Sequence, residues 1–277
     1  MKKGPIGIFD SGYGGLTVFK EIESRLPQYD FVYLGDNARV PYGTRSFETV
    51  YQYTWECVQH LFAMDCNLVV LACNTASAKA LRSIQQNDLP SFDVDKRVLG
   101  VIRPTAEVVG TYTKTGKIGI LATQGTVSSN SYVIEINKFF PDIKIFQEAC
   151  PLWVPLVESN EFNTPGADYF IEKNLNNLFK QSPDIDTVVL ACTHYPLLVD
   201  SISKFLPVGI RLVSQGKLVA ESLEDYLERH TLLKESCSLG TRRNFYTTGA
   251  VGDFNEKAAI FLGHGVGYGI ESKHLPL

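Results

Sequence analysis

Val69-Val70-Leu71-Ala72-Cys73 recurs as Val188-Val189-Leu190-Ala191-Cys192, 119 residues further along the chain (73 to 192). Each copy is a continuous run of β-branched and aliphatic residues that stops at a cysteine. Such a run is the mark of a parallel strand covered on both faces. Working outward, Ile6-Gly7-Ile8 recurs as Ile118-Gly119-Ile120 at an offset of 112 residues, Val40-Pro41 as Val154-Pro155 at 114, and Leu89-Pro90 as Leu206-Pro207 at 117. Four matches in one order, with offsets that drift by only a few residues, argue for two copies of one unit. Strands are expected at Ile6 to Phe9, Phe31 to Leu34, Leu68 to Ala72, Val98 to Ile102, Ile118 to Leu121, Ile143 to Phe146, Thr187 to Ala191 and Ile210 to Val213. Helical periodicity fits Leu16 to Glu23, Phe47 to Met64 and Tyr169 to Phe179. Strands alternating with helices define an α/β fold with mainly parallel sheets.

The composition narrows the function. The 277 residues carry 26 Lys plus Arg against 30 Asp plus Glu, a net charge of −4 that disfavours a nucleic-acid partner held by a basic footprint. Hydrophobic residues make up 44% and charged residues 20%, which is ordinary for a folded globular chain. No apolar run approaches the roughly 18 residues of a membrane span. Asp10 interrupts the N-terminal segment too soon for a signal peptide. The expectation is a cytoplasmic protein without membrane contact.

Six cysteines, Cys57, Cys66, Cys73, Cys150, Cys192 and Cys237, form no C-x-x-C pair and read as free thiols. Most need only pack as small apolar groups. Cys73 and Cys192 differ, because each closes a strand and precedes polar residues, Asn74-Thr75-Ala76-Ser77 and Thr193-His194-Tyr195-Pro196. A strand–cysteine–helix turn would set each sulfur at a helix N-terminus, which favours thiolate. The same amides, with Asn74, Thr75 and Thr193, could hold a carboxylate. Ligands of open α/β sheets bind beyond the carboxyl ends of strands. Two related lobes would then place one cysteine on each wall of a cleft. Two facing thiols suit a disulfide redox couple, or stereoinversion at a carbon acid by one thiolate and one thiol.

Asp10-Ser11-Gly12-Tyr13-Gly14-Gly15 follows the first strand, where Asp10 could assist a thiol and the glycines admit a ligand. The rival reading is a dinucleotide loop with Asp36 as its acidic partner, but Thr17 stands where the third glycine belongs. Gly263-His264-Gly265-Val266-Gly267-Tyr268-Gly269 follows a helical segment and reads as a helix stop and loop. His194, inside the second cysteine loop, could carry a proton. His60, His230, His264 and His274 lack such surroundings. Cys57, His60 and Cys66 match no zinc spacing, so no metal site is expected.

Together these residues resemble glutamate racemases, cofactor-independent two-cysteine enzymes of bacterial cell-wall synthesis. The likeness runs in order through Phe9-Asp10-Ser11-Gly12-x-Gly14-Gly15-Leu16-Thr17-Val18, Val40-Pro41-Tyr42-Gly43, Ala72-Cys73-Asn74-Thr75-Ala76-Ser77 and Ala122-Thr123-x-Gly125-Thr126. It continues through Ala149-Cys150-Pro151-Leu152, Val154-Pro155-Leu156-Val157-Glu158 and Leu190-Ala191-Cys192-Thr193-His194-Tyr195-Pro196. The resemblance implies two pseudosymmetric lobes, each a mainly parallel sheet flanked by helices, with the active site in the inter-lobe cleft. Residues 1–98 with 210–277 would form lobe A and residues 99–209 lobe B. Cys73 would be the base toward D-glutamate and Cys192 the base toward L-glutamate, with Asp10 and His194 assisting their respective thiols. Ser11, Asn74, Thr75 and Thr193 would hold the amino acid's polar groups, and Tyr42 with Gly43 would recognise its side chain. Thr123, Thr126 and Glu158 complete the implied site. No cofactor is implied, a homodimer is common among relatives, and D-glutamate would enter peptidoglycan precursors.

The chain departs from the pattern at Ser214-Gln215-Gly216, where many relatives carry an aspartate; this position is expected to be peripheral. Activation by a cell-wall precursor is not expected, because Asp10 comes almost at once. Cys150 reads as structural. Competing readings are an aspartate or other amino-acid racemase of the same fold, a non-catalytic two-lobed amino-acid-binding protein, and a nucleotide-dependent enzyme.

Overall fold

The computed structural model describes residues 2–263 and 270–277. Its strands are β1 (Ile6–Asp10), β2 (Phe31–Gly35), β3 (Leu68–Leu71), β4 (Arg97–Gly100), β5 (Lys117–Ala122), β6 (Lys144–Ala149), β7 (Thr187–Ala191), β8 (Arg211–Val213), β9 (Arg243–Thr247) and β10 (Ser272–His274). They form a six-stranded sheet in the order β10-β9-β2-β1-β3-β4 and a four-stranded sheet in the order β6-β5-β7-β8. Pairing between these strands is parallel throughout.

The internal repeat is visible in the pairing. The run β2-β1-β3-β4 of the first sheet has the same strand order as β6-β5-β7-β8. Even the register agrees: Gly7 sits opposite Val69 as Gly119 sits opposite Val188, and Ile8 opposite Val70 as Ile120 opposite Val189. All five β1 residues, all five β7 residues and all four β3 residues are buried, as continuous apolar runs require. Helices cover the sheets, among them Leu16–Arg25, Phe47–Ala63 and Pro165–Gln181. The first packs Leu16, Val18, Phe19 and Ile22 inward. The second starts at Ser46, whose hydroxyl accepts from the Thr49 amide at 3.1 Å.

The chain passes from the first sheet to the second after β4 and returns after β8. β4 ends at Gly100, and β8 pairs with β7 through Arg211, Leu212 and Val213. The lobe limits read from sequence, 98 and 209, therefore cut short of both crossings. Strand pairing places residues 211–213 with the second sheet, where the sequence division gave them to lobe A. β9 and β10 were not foreseen. Gly263, at φ +86°, ends the helix Val251–Leu262 as the glycine run suggested. The remainder of that run, 264–269 with His264, lies outside the described residues. Among the described residues no helix is long and apolar enough to cross a membrane.

Asp186 ties the entrance of β7 to the turn before β5. It accepts from the Thr113 hydroxyl at 2.5 Å and from the amides of Lys114 and Thr115 at 2.6 and 2.9 Å. Burial alone would raise its pKa, but these bonds, led by Thr113, outweigh burial and bring it down to about 2. The ionised carboxylate therefore stabilises the fold above the unfolded pKa of about 3.9, and the gain is lost as pH falls toward 2. Asp186→Asn is expected to lower Tm at pH 7, with the gap to wild type narrowing as pH falls below 4. A gap of constant size in thermal melts across that range would contradict this account.

Candidate active site

Loops at the carboxyl ends of β1, β3, β5 and β7 converge on one cavity of about 150 Å³. Ser11, Tyr42, Gly43, Cys73, Asn74, Thr75, Thr123, Glu158, Cys192, Thr193 and His194 all line it. Cavities for drug-sized ligands run to roughly 300–1,000 Å³, so this one suits a small metabolite and not a dinucleotide. A larger groove of about 710 Å³ holds neither Cys73 nor Cys192.

The two thiols are both 6% exposed but sit in different surroundings. Cys73 caps the helix Asn74–Lys79, its sulfur accepting from the Ala76 amide at 3.4 Å. Ser11 Oγ lies 3.4 Å from the same sulfur. Burial, reinforced by the Asp10 charge, pushes the Cys73 thiol up to about 12, against the pull of Ser11 and Ala76.

Cys192 does not stand at an α-helix N-terminus as expected. Pro196, which lacks an amide hydrogen, lies in a single tight turn, Tyr195–Leu198, before the helix Val199–Phe205. A histidine replaces the missing helix amides. His194 Nδ1 lies 3.9 Å from Cys192 Sγ, and its Nε2 lies 3.0 Å from Glu158 Oε1. Burial disfavours the imidazolium, but Cys192 and Glu158 outweigh burial and hold His194 above its ordinary range. Glu158, named for the substrate in the sequence reading, is thus also the carboxylate partner of His194.

Asp10 is buried at 1% exposure and is not among the cavity-lining residues. Its Oδ2 accepts from the Gly12 amide at 2.8 Å. Burial raises its pKa, against the pull of the His194 charge and the amides of Gly12 and Gly15. Thr126 is likewise buried and off the cavity surface; its hydroxyl lies 3.2 Å from that of Thr123, which is 2.9 Å from that of Thr75. Tyr42 lines the cavity, but its hydroxyl donates to Asp36 at 2.5 Å and is thus already engaged. Asp36 also receives Arg39 and Thr248, which leaves it no role as a ribose ligand.

Close approach between the β1 and β7 loops explains one glycine. A Cβ on Gly14 would come within 2.3 Å of Thr193 Oγ1 and 2.4 Å of His194 Nδ1. Thr17, in place of the third glycine of a dinucleotide loop, reaches the Gly14 and Thr193 carbonyls, each at 2.9 Å. The Gly43 carbonyl accepts from the Gly125 amide at 2.8 Å and joins the loop after β2 to the second unit. Sequence reasoning left Val40, Pro41, Thr44, Gln124, Cys150, Pro151, Val154 and Pro155 without a role, yet all line the cavity. The paired Val-Pro of the repeat was the signal that could have found four of them.

The chain belongs to the Asp/Glu/hydantoin racemase family, whose model matches residues 6–223. Relatives that it matches along most of their length are glutamate racemases. That of Persephonella marina is 41% identical over 87% of each chain. The crystal structure of a glutamate racemase isoform from Bacillus anthracis is similar with a TM-score of 0.89 at 35% identity, over 100% of this chain and 99% of that one. The glutamate racemase of Francisella tularensis, solved in complex with D-glutamate, gives 0.85 at 29% identity, over 99% and 98%.

Because folding raises the Asp10 pKa, the folded state holds that proton more tightly than the unfolded chain, and stability falls as pH rises past about 3.9. Asp10→Asn removes this loss while keeping an oxygen for the Gly12 amide. The Tm of the variant relative to wild type is expected to climb between pH 4 and pH 7. Thermal melts showing the opposite trend would contradict the buried charge.

Proposed function

We propose that this chain interconverts L- and D-glutamate by proton transfer at Cα, with Cys73 and Cys192 as the two acid–base groups. One observation carries the reading: the cysteines that end the equivalent strands β3 and β7 line the same small cavity. The family membership and the glutamate racemases among its relatives support the choice of substrate.

In this scheme Cys192 takes the α-proton of L-glutamate, and Cys73, held as a thiol, returns one to the opposite face. With D-glutamate the roles exchange. His194, joined to Glu158, gives and takes charge beside Cys192, and Asp10 stands behind Cys73. Burial holds the Cys73 thiol above the usual thiol range, and the thiolate it yields is the more basic for it. Ser11, Thr75, Thr123 and Thr193 line the site, with the Ser11 hydroxyl held against Cys73 and those of Thr75 and Thr123 against each other. Donors held in a small cavity stabilise developing carbanion charge without reorganising. The two thiols account for both proton transfers, so the scheme draws on no cofactor. Division of the chain into two lobes, a cytoplasmic location, a homodimer and supply of D-glutamate to peptidoglycan belong to the same reading. Six unpaired thiols support a reducing compartment.

Reduced, purified protein given L-glutamate alone is expected to bring the circular-dichroism signal of the amino acid to zero. Cys73→Ser and Cys192→Ser should each cut turnover by about a hundredfold or more, the size of a general acid–base contribution, with the far-UV spectrum unchanged. Wild-type turnover in either variant would refute the two-thiol scheme. Faster racemisation of aspartate than of glutamate would move the substrate to the sister reading.

A further inference from the structure

Beside the cavity, Asn74, Tyr132 and Gln215 close a ring of hydrogen bonds. Asn74 Nδ2 donates to Gln215 Oε1 at 2.8 Å, Gln215 Nε2 to the Tyr132 hydroxyl at 2.5 Å, and that hydroxyl to Asn74 Oδ1 at 2.6 Å. Each member donates once and accepts once around the ring, so every bond polarises the next. None of the three is more than 4% exposed. The position taken from sequence as peripheral is therefore a buried joint.

Gln215 also reaches beyond the ring. Its Nε2 lies 3.1 Å from the Val101 carbonyl and 3.0 Å from Thr105 Oγ1. Val101 is the first residue after β4, where the chain leaves the first sheet. Gln215 stands two residues after β8, where the chain comes back. One side chain thus clasps both connections between the sheets. The clasp runs into the helix that Cys73 caps at two points. Asn74 is the first residue of that helix, and Ser77, three residues on, accepts from the Val101 amide at 3.3 Å.

We propose that Gln215 is a positioning residue for Cys73, fixing the first turn of its helix against the two inter-sheet connections. A primary amide is needed, because it must donate toward Tyr132 and Val101 while accepting from Asn74. An aliphatic side chain would take from the buried Asn74 amide its Gln215 acceptor and would break the ring. The ring's hydrogen bonds reach the Cys73 helix and neither His194 nor Glu158, the hydrogen-bond partners beside Cys192, although the Tyr132 hydroxyl also lies near enough to feel the Cys192 charge. The inference rests on the reading that Cys73 takes the proton of D-glutamate.

Gln215→Leu and Tyr132→Phe test it in the full-length chain. The two enantiomers are equally stable, so kcat/KM must stay equal in both directions in every variant. Activity alone therefore cannot tell which thiol has moved, and the decisive readout is the deuterium isotope effect on kcat/KM with each α-deuterated enantiomer. Both variants are expected to lose about ten- to a hundredfold in kcat/KM, the scale of a small misplacement of a reacting group. The isotope effect should rise with D-glutamate and fall with L-glutamate, because the Cys73 step becomes the slower of the two. Tyr132→Phe, which keeps the ring volume, decides the matter if Gln215→Leu does not fold. Wild-type racemisation with both isotope effects unmoved in Tyr132→Phe would overturn this inference alone. A wild-type chain that racemises nothing would overturn the glutamate reading and this inference with it.

Discussion

The approach of the loop after β1 to the loop after β7 is the contact on which the site depends. These loops belong to different sheets, and the Gly14 backbone fits against Thr193 and His194 only because it has no Cβ. Thr17 holds the two together through one hydroxyl shared between carbonyls of each loop. The contact sets the distance between the two halves of the repeat, and so the room left for a ligand between Cys73 and Cys192. The Gly43–Gly125 hydrogen bond adds a second tie between the units. With the sheets so joined, the cavity is confined to about 150 Å³.

The repeat sets two thiols at equivalent positions in unlike surroundings. Cys73 is held by a helix amide, by Ser11 and by the charge of Asp10. Cys192 has an imidazole and its carboxylate partner instead. The proposed inversion calls for one sulfur with a proton and one without. Burial of the Asp10 carboxylate costs stability, whereas at His194 the neighbouring Cys192 and Glu158 more than offset burial.

Much of this was legible in the residues. The eight expected strands are all present, because parallel strands covered on both faces leave continuous apolar runs. Pairing of the V-V-L-A-C segments located both thiols, and the register of β1 with β3 and of β5 with β7 confirms the repeat. What escaped has physical reasons. β9 reads Arg-Asn-Phe-Tyr-Thr and β10 Ser-Lys-His, too polar and too short to stand out, and β10 lies at a sheet edge. The tight turn after Cys192 depends on tertiary packing as well as on Pro196. Glu158 lies 36 residues before His194 and Gln215 lies 141 after Asn74, so both contacts exist only in the folded chain.

The central claim is that two bases, not one, work on opposite faces of the α-carbon. It is tested most directly by running the reaction in D2O and measuring deuterium in each enantiomer at early conversion. Two thiols predict deuterium in the newly formed enantiomer while the remaining substrate keeps its proton, from whichever enantiomer the reaction starts. Deuterium entering substrate and product together from the outset would mean a single base serving both faces, and would contradict the account.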